Sequence, residues 1–241
     1  MSRFVFNLTY WMCCVFSLLC TDAYSTDIND ECHDLFFVSG KYEDAFPICQ
    51  KACDLNYGDK CVVLATMYLT MGDIGNTKIY SEKACNLNIA DGCEILAIMY
   101  THEQKYSKVK TYYEKACNLG KGEGCFRLGY LYVEGKGVRQ DLNQAKIYHE
   151  KACSLNNGSG CAFLGNMYAV IQNYIQAKTY YEKACNLNAG NGCLFLGNFY
   201  YEGKGVKQNK TTAKEYFGKA CDLELQQGCD EYRKLNEQGV K

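Results

Sequence analysis

The chain has 241 residues, 48% of them hydrophobic and 22% charged, with one proline and a formal net charge of −1. That apolar content can bury a core and excludes wholesale disorder. The near-neutral charge argues against a nucleic-acid binder, which usually needs a clustered basic face, and a single proline argues against a loop-rich or all-β secreted fold. Two counts stand far from average, 17 cysteines and 21 tyrosines. So many thiols point to an oxidising compartment.

In chain order, residues 1–25 are expected to form a signal peptide. Arg3 carries the only positive charge there, and an apolar stretch runs from Phe4 to Cys20. Ala23-Tyr24-Ser25 then offers small residues around a cleavage site before Thr26. The run falls short of the ~20 residues of a bilayer-spanning helix. Leu19 stands where a lipoprotein signal ahead of Cys20 needs a small residue. The mature chain, residues 26–241, is expected to be secreted, exported through the periplasm, with no membrane span of its own.

Cys13, Cys14 and Cys20 fall within the leader. Of the remaining cysteines, twelve form six pairs with seven residues between partners: Cys53/Cys61, Cys85/Cys93, Cys117/Cys125, Cys153/Cys161, Cys185/Cys193 and Cys221/Cys229. The first members are spaced by 32, 32, 36, 32 and 36 residues, which is an internal repeat. Each pair brackets a short polar or glycine-bearing segment such as Asn156-Asn157-Gly158-Ser159-Gly160. Such a segment ends one helix and starts the next, so a disulfide there staples two antiparallel helices. Zinc sites and redox motifs favour closer cysteines. No C-x-x-C occurs, and His33, His102 and His149 sit at unrelated repeat positions. Neither metal nor cofactor is expected. Aligning Tyr42 with Tyr174 and Ala45 with Ala177 puts Cys32 and Cys49 on the two helices of an N-terminal repeat, where they are expected to bridge.

Between the pairs a frame recurs. In the stretch Cys125 to Cys153, Leu128, Gly129 and Tyr132 lie on a first helix, Gly135-Lys136-Gly137-Val138 makes a turn, and Asp141 can cap a second helix. Ala145, Tyr148 and Ala152 then share one face of that helix. The tyrosines of the first helices, Tyr68, Tyr100, Tyr132, Tyr168 and Tyr200, are expected in the core. The 36-residue units contain the Gly-Lys-Gly-Val turn, at 135–138 and 203–206, and the 32-residue units lack it. The frame predicts a single solenoid domain over 26–241. Its repeats fall at about 27–57, 58–89, 90–121, 122–157, 158–189 and 190–225, with a capping helix at 226–241.

The frame Leu-Gly-x-x-Tyr, Gly-x-Gly-Val, Ala-x-x-Tyr and Lys-Ala-Cys resembles the Sel1-like repeat, a relative of the tetratricopeptide repeat. The C-x7-C staple resembles the secreted cysteine-rich branch of that family, the Helicobacter cysteine-rich proteins. The resemblance implies an all-α fold, a right-handed α/α superhelical solenoid whose first helices line a concave face. It also implies a monomer that binds a peptide or protein there.

Counting each first helix from its cysteine as one, positions 2, 6 and 9 are the expected groove. They include Phe126 and Tyr130, Ala162 and Asn166, and Leu194, Asn198 and Tyr201. Asn166 and Asn198 match the asparagines with which the tetratricopeptide family holds a peptide backbone, since an amide both donates and accepts. Replacing both by alanine is expected to weaken binding without lowering the melting temperature. The candidate ligand-binding residues are thus Asn166, Asn198, Tyr130, Tyr201 and Phe126.

The cysteine-rich branch also implies penicillin binding and β-lactamase activity, with β-lactams as a second ligand class. Ser107-Lys108-Val109-Lys110 matches S-x-x-K, but neither S-D-N nor K-T-G occurs. No catalytic residues are assigned.

Overall fold

The computed structural model describes residues 28, 31–38 and 42–240. The leader 1–25, with Cys13, Cys14 and Cys20, lies outside the described residues. All regular structure among these residues is helical: a π-helical segment, Asp34–Val38, then α1 (Tyr42–Asp54), α2 (Gly58–Thr70), α3 (Ile74–Asn86), α4 (Ala90–His102), α5 (Tyr106–Asn118), α6 (Gly122–Glu134), α7 (Leu142–Ser154), α8 (Gly158–Val170), α9 (Tyr174–Asn186), α10 (Gly190–Glu202), α11 (Lys210–Asp222) and α12 (Gln226–Glu237). The chain divides into two compact units, Met1–Met99 and Tyr100–Lys241.

The helix ends follow from local chemistry. After the first cysteine of most pairs comes x-Leu-Asn, and Asn56, Asn88, Asn156 and Asn188 all adopt positive φ, between 59° and 68°. Asparagine tolerates this left-handed conformation better than most residues. It lets Ile89 N–H close back on the Ala84 carbonyl at 3.0 Å and Asn157 N–H on that of Ala152 at 2.9 Å. Asp141 caps α7 by accepting from the amides of Asn143 and Gln144, and Asn209 caps α11 in the same way.

Across each turn the disulfides close. In the first unit they join Cys32 to Cys49, Cys53 to Cys61 and Cys85 to Cys93. In the second they join Cys117 to Cys125, Cys153 to Cys161, Cys185 to Cys193 and Cys221 to Cys229. Cα–Cα separations run from 4.5 to 4.9 Å. Helices held that close leave no room beside the bond. A Cβ on Gly160 would meet Ala152 Cβ at 2.7 Å, and one on Gly192 would meet Ala184 Cβ at 2.5 Å. The Ala-Cys and Gly-Cys dipeptides are therefore two sides of one contact. In the first such pair Lys60 replaces the glycine; it is 5% exposed and pairs with Asp59 at 2.8 Å.

The second contact is a ring laid on a small residue. Tyr181 and Phe217 lie so flat on the preceding first helix that a Cβ would be 2.5 Å from the ring at Gly165 and 2.4 Å at Gly197. His149 does the same against Gly129, at 2.8 Å. The residue in this register is Ser81, Tyr113, His149, Tyr181 and Phe217 in successive second helices, all 5% exposed or less.

The first-helix tyrosines are not core. Tyr68, Tyr100, Tyr132, Tyr168 and Tyr200 are each half-buried. Each stacks on a tyrosine of the following second helix, with centroids 5.3 to 5.6 Å apart and planes within 15°. The core place that the wheel assigned to them falls one residue earlier, on Met67, Met99, Leu131 and Phe199, each 7% exposed or less. A phenol keeps its hydroxyl near water, so the tyrosines settle at the rim.

The Gly-Lys-Gly-Val turns have a partner in the repeat before. A Cβ on Gly137 would lie 2.6 Å from Tyr106 Cβ, and one on Gly205 2.5 Å from Tyr174 Cβ. Tyr106 and Tyr174 open the second helices of the two 32-residue repeats of this region.

Three outcomes test this packing. Replacing Cys153 and Cys161 together by serine removes an eight-residue loop closure worth about 2.5 kcal/mol, read as a lower urea midpoint. Gly197→Ala costs about 1–3 kcal/mol by overpacking Phe217, and the cost shrinks in a Phe217→Leu background, as a double-mutant cycle shows. His149 is pushed down from 6.5 to about 4 by burial. The unfolded chain therefore takes up the proton first. Stability is full above pH 6.5 and falls by roughly 3 kcal/mol as pH drops toward 4. His149→Phe removes that loss in urea titrations at pH 7 and pH 4.

Candidate functional site

In the second unit the first helices α6, α8 and α10 line a half-open cavity of about 280 Å³. Phe126 comes from α6, Phe163 and Asn166 from α8, and Asn191 and Phe195 from α10. No ionisable side chain lines it. Three phenyl rings and two amides around an uncharged hollow suit an apolar side chain flanked by backbone polar groups.

Asn166 is held in one orientation. Its Oδ1 accepts a hydrogen bond from the Tyr181 hydroxyl at 2.6 Å. Tyr181 is 1% exposed, and burial raises its phenol pKa well above the ordinary value, so the hydroxyl stays a donor. This bond leads to a different expectation for stability from the unchanged melting temperature read from the sequence. Asn166→Ala strands a buried hydroxyl at about 1–3 kcal/mol. Asn198 holds the same register on α10 and is half-buried, but the residue in place of Tyr181 is Phe217, which has no hydroxyl to offer.

Beneath the cavity walls lies His149. Its ring stacks on Phe163 at 4.0 Å and tilts against Phe126 at 5.5 Å. It is 0% exposed, and among the described residues neither ring nitrogen has a hydrogen-bond partner.

Of the groove residues expected from sequence, the cavity brings together Phe126 and Asn166. Tyr130, Asn198 and Tyr201 do not line it. Tyr130 is 43% exposed and hydrogen-bonds Glu134, which raises the phenol pKa. Tyr201 is half-buried under the Lys210 ammonium, 5.6 Å from its ring. Position 2 is half-buried at Val62, Glu94 and Phe126; Ala162 and Leu194 are only 5% and 3% exposed, although Ala162 also contributes to the cavity wall. The residues that sequence reasoning passed over are Phe163 and Phe195, at position 3. The available signal was the aromatic pair at that register in two successive repeats.

Ser107 stands exposed at the start of α5. The two lysines of its S-x-x-K run are engaged elsewhere: Lys108 donates to the Tyr100 hydroxyl at 3.4 Å, and Lys110 pairs with Glu114 at 3.4 Å. Neither is poised as a base for the serine.

The sequence profile described as Sel1 repeat matches residues 110–121, 122–157 and 190–225. The profile described as tetratricopeptide repeat matches 158–191. No curated protein matches the chain. Among solved structures, a Sel1 repeat protein from Oxalobacter formigenes superposes with a TM-score of 0.73 at 19% identity, over 87% of this chain and 97% of that one. The protein c5321, a protective antigen present in uropathogenic Escherichia coli strains and displaying an SLR fold, superposes with a TM-score of 0.67 at 23% identity. That match covers 81% of this chain and 49% of the other, so this chain spans about half its length. Helicobacter pylori cysteine rich protein B is 34% identical over 63% of this chain and 88% of that one, with a TM-score of 0.29, so the likeness is one of sequence. The repeated helix pairs, the disulfide at each turn and the three Sel1 matches together establish that the chain belongs to the Sel1-repeat family, with the α/α solenoid fold of Sel1 and tetratricopeptide-like repeats.

Proposed function

We propose that this disulfide-rich Sel1 repeat protein is an exported scaffold that binds an extended peptide or protein segment on the first-helix face of its second unit. The uncharged cavity between Phe126, Phe163 and Phe195 carries the reading: it receives one apolar side chain of the partner. Asn166, oriented by Tyr181, then meets the partner's backbone beside that side chain. Asn198, Tyr130 and Tyr201 serve as flanking contacts.

Sel1 repeats are protein-interaction modules, which supports a macromolecular partner. Seven disulfides support an extracellular or periplasmic setting, since such bonds persist only under oxidising conditions. Among the described residues no helix is long and apolar enough to cross a membrane. Residues 1–25 act as the export signal in this reading.

The test is a peptide selected from a displayed random library against the oxidised chain, then titrated calorimetrically. Phe163→Ala is expected to weaken it by about 10- to 100-fold, the range of a buried aromatic anchor. Asn166→Ala combined with Tyr181→Phe removes both partners of the buried hydrogen bond. It is expected to restore most of the stability lost in Asn166→Ala while binding stays weak. Undiminished affinity in Phe163→Ala would refute the site.

A further inference from the structure

We infer that His149 makes the uncharged pocket acid-labile: the neutral ring supports Phe126 and Phe163 as pocket walls, and the protonated ring unseats them and releases the side chain held there. This rests on the peptide-binding reading above and adds its regulation.

The geometry leaves the imidazole no place for a charge. Phe163 covers one face at 4.0 Å, Phe126 lies at 5.5 Å, and the α6 backbone at Gly129 is close enough that a Cβ would touch Cε1 at 2.8 Å. Both nitrogens are buried without partners among the described residues. A proton added here would create a cation with two undirected N–H groups in an apolar site, which is strongly unfavourable. The ring either stays neutral or moves toward water, and a move disturbs the two phenyl rings packed on it.

The charged and titratable groups on the packed elements do not relieve this. On α6, Glu123 and Arg127 pair with each other at 2.6 Å, with the guanidinium 5.8 Å over Phe126; at the other end of the helix Tyr130 bonds Glu134, which also binds Lys136. Tyr132 of α6 stacks on Tyr148 of α7, and Tyr168 of α8 stacks on Tyr180. On α7 itself, Lys146 pairs with Glu150, and Lys151 donates to Asn118. The depression of the His149 pKa comes from burial alone. Among the five residues of this register, Ser81, Tyr113, His149, Tyr181 and Phe217, it is the one that titrates in acid.

By reciprocity, a guest in the pocket holds the ring neutral and protons expel the guest. Once pH is below the His149 midpoint, affinity falls about tenfold per further unit.

The test is an NMR titration of the oxidised chain from pH 7 to pH 3, alone and with millimolar N-acetyl-phenylalanine amide. Wild type is compared with His149→Phe and, should that variant fail to fold, with His149→Tyr; both place at 149 a residue that other repeats use in this register. The expected result has three parts. His149 titrates well below 6.5, the Phe126 and Phe163 ring signals shift with the same midpoint, and the variant's rings do not. The probe perturbs pocket signals at pH 7 in both proteins and persists at pH 3 only in the variant. Three results would overturn the inference: His149 titrating while both phenyl rings stay still, probe affinity falling equally in wild type and variant, or both proteins unfolding at one pH. A probe that binds neither protein at pH 7 overturns the peptide-pocket reading instead, and the ligand-free ring signals still decide the switch.

Discussion

The closeness of two helices at each cysteine pair is the constraint from which the other features follow. Cα atoms 4.5 to 4.9 Å apart place the helix backbones nearly in contact. Only alanine and glycine fit beside the bond, which is why Ala-Cys answers Gly-Cys at turn after turn. Residues that small bury little area at the turn itself. There the cross-links, which restrict the unfolded chain, add stability to that of the leucine and aromatic core between the helices. Lys60 shows the limit of the rule: where the glycine is missing, a long side chain is enclosed and pairs with its neighbour Asp59.

Around that fixed frame one buried register is left to vary, and variation there reaches the surface. Tyr181 extends a hydroxyl through to Asn166, while Phe217 cannot do so for Asn198. Two asparagines identical in repeat position thus face different groups on the second helix. His149 is shorter than either ring and leaves its nitrogens unanswered under the walls of the cavity. The chemistry of the first-helix face is set as much by the second helix behind it as by its own residues.

Much of this was legible in the sequence because the repeat multiplies every signal. The cysteine spacing located the turns, and the polar or glycine-bearing segment inside each pair marked where one helix ends and the next begins. What single-helix periodicity could not resolve was a matter of rotation by one residue. It assigned to the core tyrosines that stack at the rim, because hydrophobic pattern does not register a hydroxyl's need for water. It opened position 2 at Ala162 and Leu194, which the packing of the solenoid in fact covers. It passed over Phe163 and Phe195, whose role depends on three helices from three repeats converging, a relation absent from any one repeat.

The Gly-Lys-Gly-Val turns carry a consequence for how such a chain can grow. Gly137 is fitted to Tyr106 and Gly205 to Tyr174, and each partner pair lies 68 residues from its counterpart. A long repeat is thus built to close over the short repeat before it. A module that can be duplicated or deleted without leaving an orphaned turn is the couplet of short and long repeats. Loss of the single short repeat before either turn would place that turn over a different helix start, whereas the short repeat at 58–89, followed by another short one, carries no such constraint.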